Sequence, residues 1–387
     1  MRILQIHNYY QQEGGEDAVL ANEKALLEEA GHEVIQHLCH NDEIQSTYAK
    51  VRSALEIAYS ARQRKRLSRL LHDVRPDIVH VHNFFPLFTP SIFDACRQAA
   101  LPSVMTLHNY RLICPGALLM RDGHICEDCL QGSAYRAIRH RCYRESMAGT
   151  FAVSRMVEYH RRRHTWRDKV SAFIALTRFA RTKYIQGGLP ANRIHVKPNF
   201  IRPPAAPDGK CEGKRRGVLY VGRLSHEKGL TTLLEAWKDM SAPLRIAGDG
   251  PLKEIVSACA SPQVEYLGVL TRTEVSREMR RASALVMPSE WYEGFPMVLV
   301  EAMAHGLPVI GSNIGAMAEV IQDGVTGLHF EVGDVQSLRD AVSRLLNDES
   351  VLRKMSEASV REYRMKYSPE VNLDQLMGIY ESARQAS

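Results

Sequence analysis

The 387-residue sequence predicts an α/β protein built as two doubly wound halves. Three observations lead there. The chain is longer than one hydrophobic core usually serves, so two domains are the default. Both halves open alike, with a short apolar strand, a glycine-bearing loop and a helix: residues 2–7 lead into Gly14 and Gly15, and residues 217–222 lead into Gly229. That order is the opening of a βαβ unit in a parallel sheet. Between the halves, residues 201–216 contain Pro203, Pro204 and Pro207 among scattered charges, the composition of a linker. No sequence repeat accompanies this; the halves share a layout.

In the first half the opening strand is followed by a helix over 16–30, with Val19, Leu20, Leu26 and Leu27 apolar and Gly31 closing it. Strands are predicted at 33–37, 77–82, 103–108 and 170–176, with helical stretches at 50–72, at 135–169 and from 177. His82 and His108 fall at strand C-terminal ends, the edge where open α/β sheets bind ligands. The second half reads as strands at 217–222, 243–248, 264–268, 284–289, 306–311 and 327–330. Helices are expected at 229–240, 334–347, 349–366 and 368–387.

Composition bounds the function. An apolar fraction of 45% and a charged fraction of 24% describe an ordinary globular protein. No stretch approaches the ~18 apolar residues of a membrane span. Residues 1–7 run straight into a strand rather than a secretory signal, which gives a cytoplasmic expectation. Residues 1–200 carry 28 Lys/Arg against 19 Asp/Glu, net +9, and the remainder 22 against 25, net −3. A basic first half suits a phosphate-bearing acceptor, the anionic inner face of the cytoplasmic membrane, or nucleic acid. The Arg-rich runs at 61–72 and 160–164 are either solvated helix faces or such contacts. They lack the interleaved aromatics of a nucleic-acid stacking platform, so no nucleic-acid partner is expected.

Four of the eight cysteines, Cys114, Cys126, Cys129 and Cys142, lie within 29 positions, and the middle pair is Cys-x2-Cys. Four thiolates suit a closed, structural Zn²⁺ site. The alternatives are free thiols, or a three-cysteine site completed by His124 or His140. No Asp-x-Asp pair occurs, so no catalytic metal or other cofactor is expected.

The chemistry-bearing motifs lie in the second half. After the strand ending at Gly222, Arg223 and Lys228 flank a helix start, and two cations beside a helix N-terminus form a pyrophosphate site. Further on, Glu293 stands in a Gly294-Phe295-Pro296 turn, and Glu301 follows within the apolar run 297–304. Eight residues rise roughly 12 Å in a helix. That separation is too wide for a retaining hydrolase, whose carboxyl groups lie ~5–5.5 Å apart. A lone charge in an apolar helix is costly unless it is paired, so Glu301 is expected to face a polar cleft.

The Glu293-x7-Glu301 spacing, the Gly222-Arg223-Leu224-x3-Lys228-Gly229 pattern and Thr106-Leu107-His108-Asn109 resemble the family 4 retaining glycosyltransferases of the GT-B fold. The cysteine stretch is similar to a subset from bacterial surface-polysaccharide pathways. The resemblance covers essentially the whole chain and is strongest from Val218 to Phe330. It implies two Rossmann-like domains facing a central cleft, 1–200 for the acceptor with a Cys-rich insertion at about 112–145, and 217–367 for the donor. Helix 368–387 would return to the first domain. It also implies a nucleotide-sugar donor, UDP-sugar favoured, and a glycan or polyprenyl-diphosphate-linked glycan acceptor. Arg223 and Lys228 would hold the diphosphate with Gly14 and Gly15 opposite, Glu293 the sugar hydroxyls, Glu301 the ribose, and His108 the sugar from the other domain. Gly222, Gly248, Gly268, Gly294, Phe295 and Pro296 would line the nucleotide. Two other readings stay open: a GT-B-like nucleotide-sugar 2-epimerase, against which the two glutamates argue, and a non-enzymatic zinc- or nucleic-acid-binding protein.

Overall fold

The computed structural model describes residues 1–11, 14–203 and 215–385. Most of the expected linker and the last two residues of the expected terminal helix lie outside these. The chain divides into two compact units. The first comprises Met1–Arg121, Ile125–Asn199 and Pro369–Ser387, and the second comprises Phe200–Ser368 with Asp122–His124.

The first unit carries strands β1 (Arg2–Tyr9), β2 (Glu33–His40), β3 (Ile78–Val81) and β4 (Ser103–Leu107). A two-stranded hairpin follows, β5 (Met120–Arg121) and β6 (His124–Ile125), then β7 (Ala172–Ala175) and β8 (Ile194–Val196). Six of these make one sheet in the order β2-β1-β3-β4-β7-β8, all parallel. Parallel strands are covered on both faces and therefore read as apolar runs; Ile3, Leu4 and Ile6 of β1 are fully buried. One face packs Ile3, Ile78, Val104 and Ile174 against Leu27 of the Gly15–Glu29 helix and Leu376, Ile379 and Tyr380 of the C-terminal Pro369–Gln385 helix.

The second unit repeats the layout with β9 (Val218–Val221), β10 (Leu244–Ala247), β11 (Val264–Gly268), β12 (Ala284–Met287), β13 (Val309–Ser312) and β14 (Gly327–Phe330). Its order, β11-β10-β9-β12-β13-β14, is the dinucleotide-fold order. Side-chain alternation divides β9 between two cores, with Val218 and Tyr220 on one face and Leu219 on the other. In each sheet the order reverses beside the first strand, between β1 and β3 and between β9 and β12, which opens a crevice at the strands' C-terminal ends.

Two expected helices are broken. The 50–72 stretch is two helices, Thr47–Glu56 and Ala61–Val74, because the Ser60 hydroxyl caps the second by accepting from Gln63 N. The 135–169 stretch is a short 3₁₀ segment, Ala134–Ile138, then Met147–Arg162 capped by Ser146, then Thr165–Asp168. Among the described residues no helix is long and apolar enough to cross a membrane.

Candidate functional site

In the second unit the loops after β9 and β12 meet at the reversal point. Lys228 follows β9 and Glu293 follows β12, and Lys228 Nζ lies 2.6 Å from Glu293 Oε1. The Ser289 hydroxyl donates to the same oxygen at 2.8 Å, and Glu293 is buried. A buried carboxylate needs such partners, since an unpaired charge would be strongly disfavoured. Two further bonds fix the loops: Glu290 N donates to Glu227 O (2.9 Å), and the Thr232 hydroxyl donates to Glu290 Oε1 (2.7 Å). The Lys228 ammonium also stands 5.5 Å from the Trp291 ring centre. Arg223 differs: it is exposed, and its guanidinium has no hydrogen-bond or ion-pair partner among the described residues. A free guanidinium in the same loop as a held ammonium suits an incoming diphosphate.

The glycines named from sequence line up beneath. Gly222, Gly248 and Gly268 follow one another across the ends of β9, β10 and β11, joined by Gly222 N to Ala247 O (3.1 Å) and Gly248 N to Gly268 O (2.8 Å). A Cβ on Gly248 would sit 1.9 Å from Gly222 O, so side chains are excluded and backbone faces the crevice. Gly294 and Pro296 lead into the Met297–Ala304 helix, with Pro296 at its N-cap. Phe295 departs from expectation: its ring packs against Tyr367, 6.1 Å between centroids, and joins the apolar cluster. Glu301 is half-buried, and its carboxylate has no hydrogen-bond partner among the described residues. Desolvation raises its pKa, with Arg272 opposing.

In the first unit His108 belongs to a buried chain that the sequence did not disclose. Glu23, on the helix after β1, is within 2.9 Å of His80 Nδ1 and 3.0 Å of His82 Nε2. Burial alone would raise its carboxyl, but the His80 and His82 rings hold it well below the usual range. An ionised carboxylate only accepts, so His82 carries its proton on Nε2. Burial pushes the His82 pKa down to about 4, so the ring is neutral and its Nδ1 accepts from His108 Nε2, 3.3 Å away. Burial and the neighbouring His82 and His7 rings also hold His108 well below its normal pKa. The neutral ring, partly exposed, is left with Nδ1 as an acceptor that has no partner among the described residues.

Two groups of three His, Cys, Asp or Glu ligand atoms lie within 4.8 Å of one another among the described residues: Glu23–His80–His82 and His7–Glu16–Asp17. In the first, Lys197 Nζ already stands 3.6 Å from Glu23 Oε2 as a buried cation. The four cysteines are not such a group. They are gathered around the β5–β6 hairpin, where a Cβ on Gly116 would touch both Cys114 Sγ (3.8 Å) and Cys142 Cβ (3.6 Å). Burial first, then Cys114, Cys142 and Cys126, push the Cys129 thiol up to about 12. As placed, the thiols are near one another but not at ligating separation.

The first loop is also altered. The Gly14 N–H, expected to face a phosphate, donates to Asp17 Oδ2 (2.9 Å), while Asp17 Oδ1 receives His7 Nε2 (2.8 Å). Gly15 begins the helix. Burial and Asp17 push the Glu16 carboxyl up to about 8, which removes much of its negative charge at neutral pH.

Two family models divide the chain: "Glycosyltransferase Family 4" over residues 13–203 and "Glycosyl transferases group 1" over residues 206–361. The chain belongs to family 4 of the GT-B glycosyltransferases. Relatives include the alpha-D-kanosaminyltransferase of Streptomyces kanamyceticus, 30% identical over 56% of this chain and 62% of that protein. Another is the phosphatidyl-myo-inositol mannosyltransferase of Mycobacterium leprae, 31% identical over 56% of this chain and 60% of that one. The matched stretches thus span about three-fifths of these relatives' lengths. HepE of Anabaena, solved in complex with UDP, shares the GT-B fold across 99% of this chain and 100% of that chain, with a TM-score of 0.70 at 18% identity. Within this family 4 chain, Ser289 and Glu23 are the two site neighbours missed from sequence. Ser289 stood at the end of the strand predicted at 284–289, but nothing local marked Glu23.

Proposed function

We propose that this family 4 protein moves a sugar from a nucleotide-sugar, UDP-sugar favoured, to a lipid-linked or growing glycan of bacterial surface-polysaccharide assembly, with retention of anomeric configuration and without a catalytic metal. The observation that carries this reading is the Lys228–Glu293 contact at the reversal point of the second sheet, with Arg223 uncommitted in the same loop as Lys228. Cleaving a nucleotide-sugar builds negative charge on the leaving diphosphate and positive charge on the anomeric carbon. Arg223 and Lys228 answer the first, and Glu293 accepts from sugar hydroxyls on the side of the second. Glu301, lacking an internal partner, accepts from the ribose. The leaving phosphate takes the acceptor hydroxyl's proton as the new bond forms on the face the nucleotide leaves. The UDP complex of HepE favours a uridine donor, and the mannosyltransferase relative, named for a phosphoinositide, favours a lipid-borne acceptor.

Thermal shift with UDP, GDP and ADP tests the donor: the correct nucleotide at 100 times its Kd stabilises by ~2.7 kcal/mol. Product NMR reads the anomer, chelation reads metal dependence, and turnover without an acceptor would point to an epimerase. Lys228→Met or Glu293→Gln lowers kcat by about 100-fold or more. Near-normal transfer by a folded Glu293→Gln protein rejects the assignment.

The same reading gives Cys114, Cys126, Cys129 and Cys142 a structural Zn²⁺, drawn in from their present separation. Elemental analysis of the purified protein decides it, with about one zinc per chain expected and none refuting it.

A further inference from the structure

The Thr47–Glu56 helix has its polarity reversed. A surface helix ordinarily turns its apolar stripe inward. This one buries no residue. Tyr48, Val51 and Leu55, spaced to share one face, are 73%, 55% and 67% exposed. The other side, with Ser53 and Glu56, looks onto a polar recess shared with Gln63 and Arg66. Glu56 is engaged there by the Ser60 hydroxyl at 2.8 Å. So the helix is held to the protein by polar contacts and offers its apolar side outward.

A second element extends this surface. At the start of the Met147–Arg162 helix, Met147 and Phe151, one turn apart, are 53% and 52% exposed. The two helices are tied together where the Arg155 guanidinium donates to the Leu55 and Ala54 carbonyls. Cations accompany the apolar side chains: the Arg52 guanidinium stands 5.5 Å over the Tyr48 ring, and the exposed Arg139, Arg141 and Arg144 come just before the second helix. The helix also follows the C-terminal end of β2, on the ligand-binding edge of this sheet.

We infer that these five side chains insert into the headgroup region of an anionic phospholipid bilayer, with the accompanying cations on the lipid phosphates. Apolar and aromatic anchors ringed by Lys and Arg are the chemistry of an interfacial helix. Five side chains fall well short of the roughly 20–30 residues a side of a stable protein interface. The Arg-rich Ala61–Val74 helix, one of the two basic runs noted in the sequence, buries its apolar residues Leu67 and Leu71 and so offers charge without anchors. This deepens the membrane-borne part of the function proposed above, yet it is tested without donor or acceptor.

The test is flotation of the full chain with phosphatidylcholine vesicles, with and without phosphatidylglycerol. Binding only to the anionic vesicles, weakened by salt, is expected. The double variant Leu55→Glu/Phe151→Glu lowers the bound fraction at least tenfold with an unchanged melting temperature, since both side chains are exposed. Lys65→Glu/Arg69→Glu on the neighbouring helix leaves most binding intact. The inference is overturned if the first variant binds like the parent, or if the second alone abolishes binding. It also fails if the parent is a dimer that Leu55→Glu/Phe151→Glu dissociates while neither floats with vesicles, because a second copy then covers the patch.

Discussion

At Glu23 a carboxylate with no access to water is kept ionised by the rings around it, and the consequence runs outward to His108. Because Glu23 accepts from His82, His82 must accept from His108, and His108 is left with a bare Nδ1 able to accept from a hydroxyl. His82→Leu removes the acceptor and frees the His108 tautomer; transfer falls at least tenfold, while His82→Asn, which restores an acceptor near Nδ1, recovers part of it. Histidine 15N spectra read the tautomer independently of turnover. The same burial fixes an acid dependence. His82 and His160 are each depressed from 6.5 to about 4. Between those values the unfolded chain binds protons that the native chain does not, so stability falls as pH falls. At 1.36 kcal/mol per pKa unit, each contributes on the order of 3 kcal/mol. Glu23, depressed in the native state, adds a further loss only below the ordinary carboxylate range. Melting temperatures that stay flat from about pH 7 to 4.5 would contradict this. His108 was readable as a strand-end histidine, but Glu23 looked like any helix position, since its partners come from strands some 60 residues further along.

Among the elements, strands were the most legible because parallel strands buried on both faces announce themselves as apolar runs. The predicted strand at 217–222 contains Val218–Val221, and the predicted helix at 349–366 has the observed ends. What stayed hidden was punctuation by serine: Ser60 and Ser146 start new helices by side-chain capping inside stretches whose composition reads as continuous. The outward apolar face of Thr47–Glu56 was also missed, for periodicity gives the stripe but not its direction. The loop between β9 and its helix depends on Gly229, whose φ is +68° and whose added Cβ would lie 1.8 Å from Pro288 O. Gly229→Ala should therefore cost about 2–4 kcal/mol in urea unfolding. It should also weaken nucleotide binding, because Lys228 precedes it. An unchanged midpoint would show that the loop can move aside.

On the scale of the whole molecule, the last helix belongs to the first unit. Leu376 and Tyr380 are fully buried against β-strands contributed by the first half of the chain, and the Asn372 side chain bonds to Lys197 Nζ (2.9 Å) and Pro198 O (2.7 Å). Leu376→Ala should destabilise the first unit by about 2–5 kcal/mol and leave the second unit's transition in place, so calorimetry should show one transition moving and one fixed. The same connection governs how the protein is made. Ribosomes deliver chains from the N-terminus, and domains generally fold in that order. Here the unit encoded first lacks one wall until residues 369–385 have been made, so the unit encoded second is the first able to close. Until that helix is made, the apolar groove awaiting Leu376, Ile379 and Tyr380 stays open, and nascent chains stalled short of residue 376 should depend on chaperones that chains carrying the helix do not need.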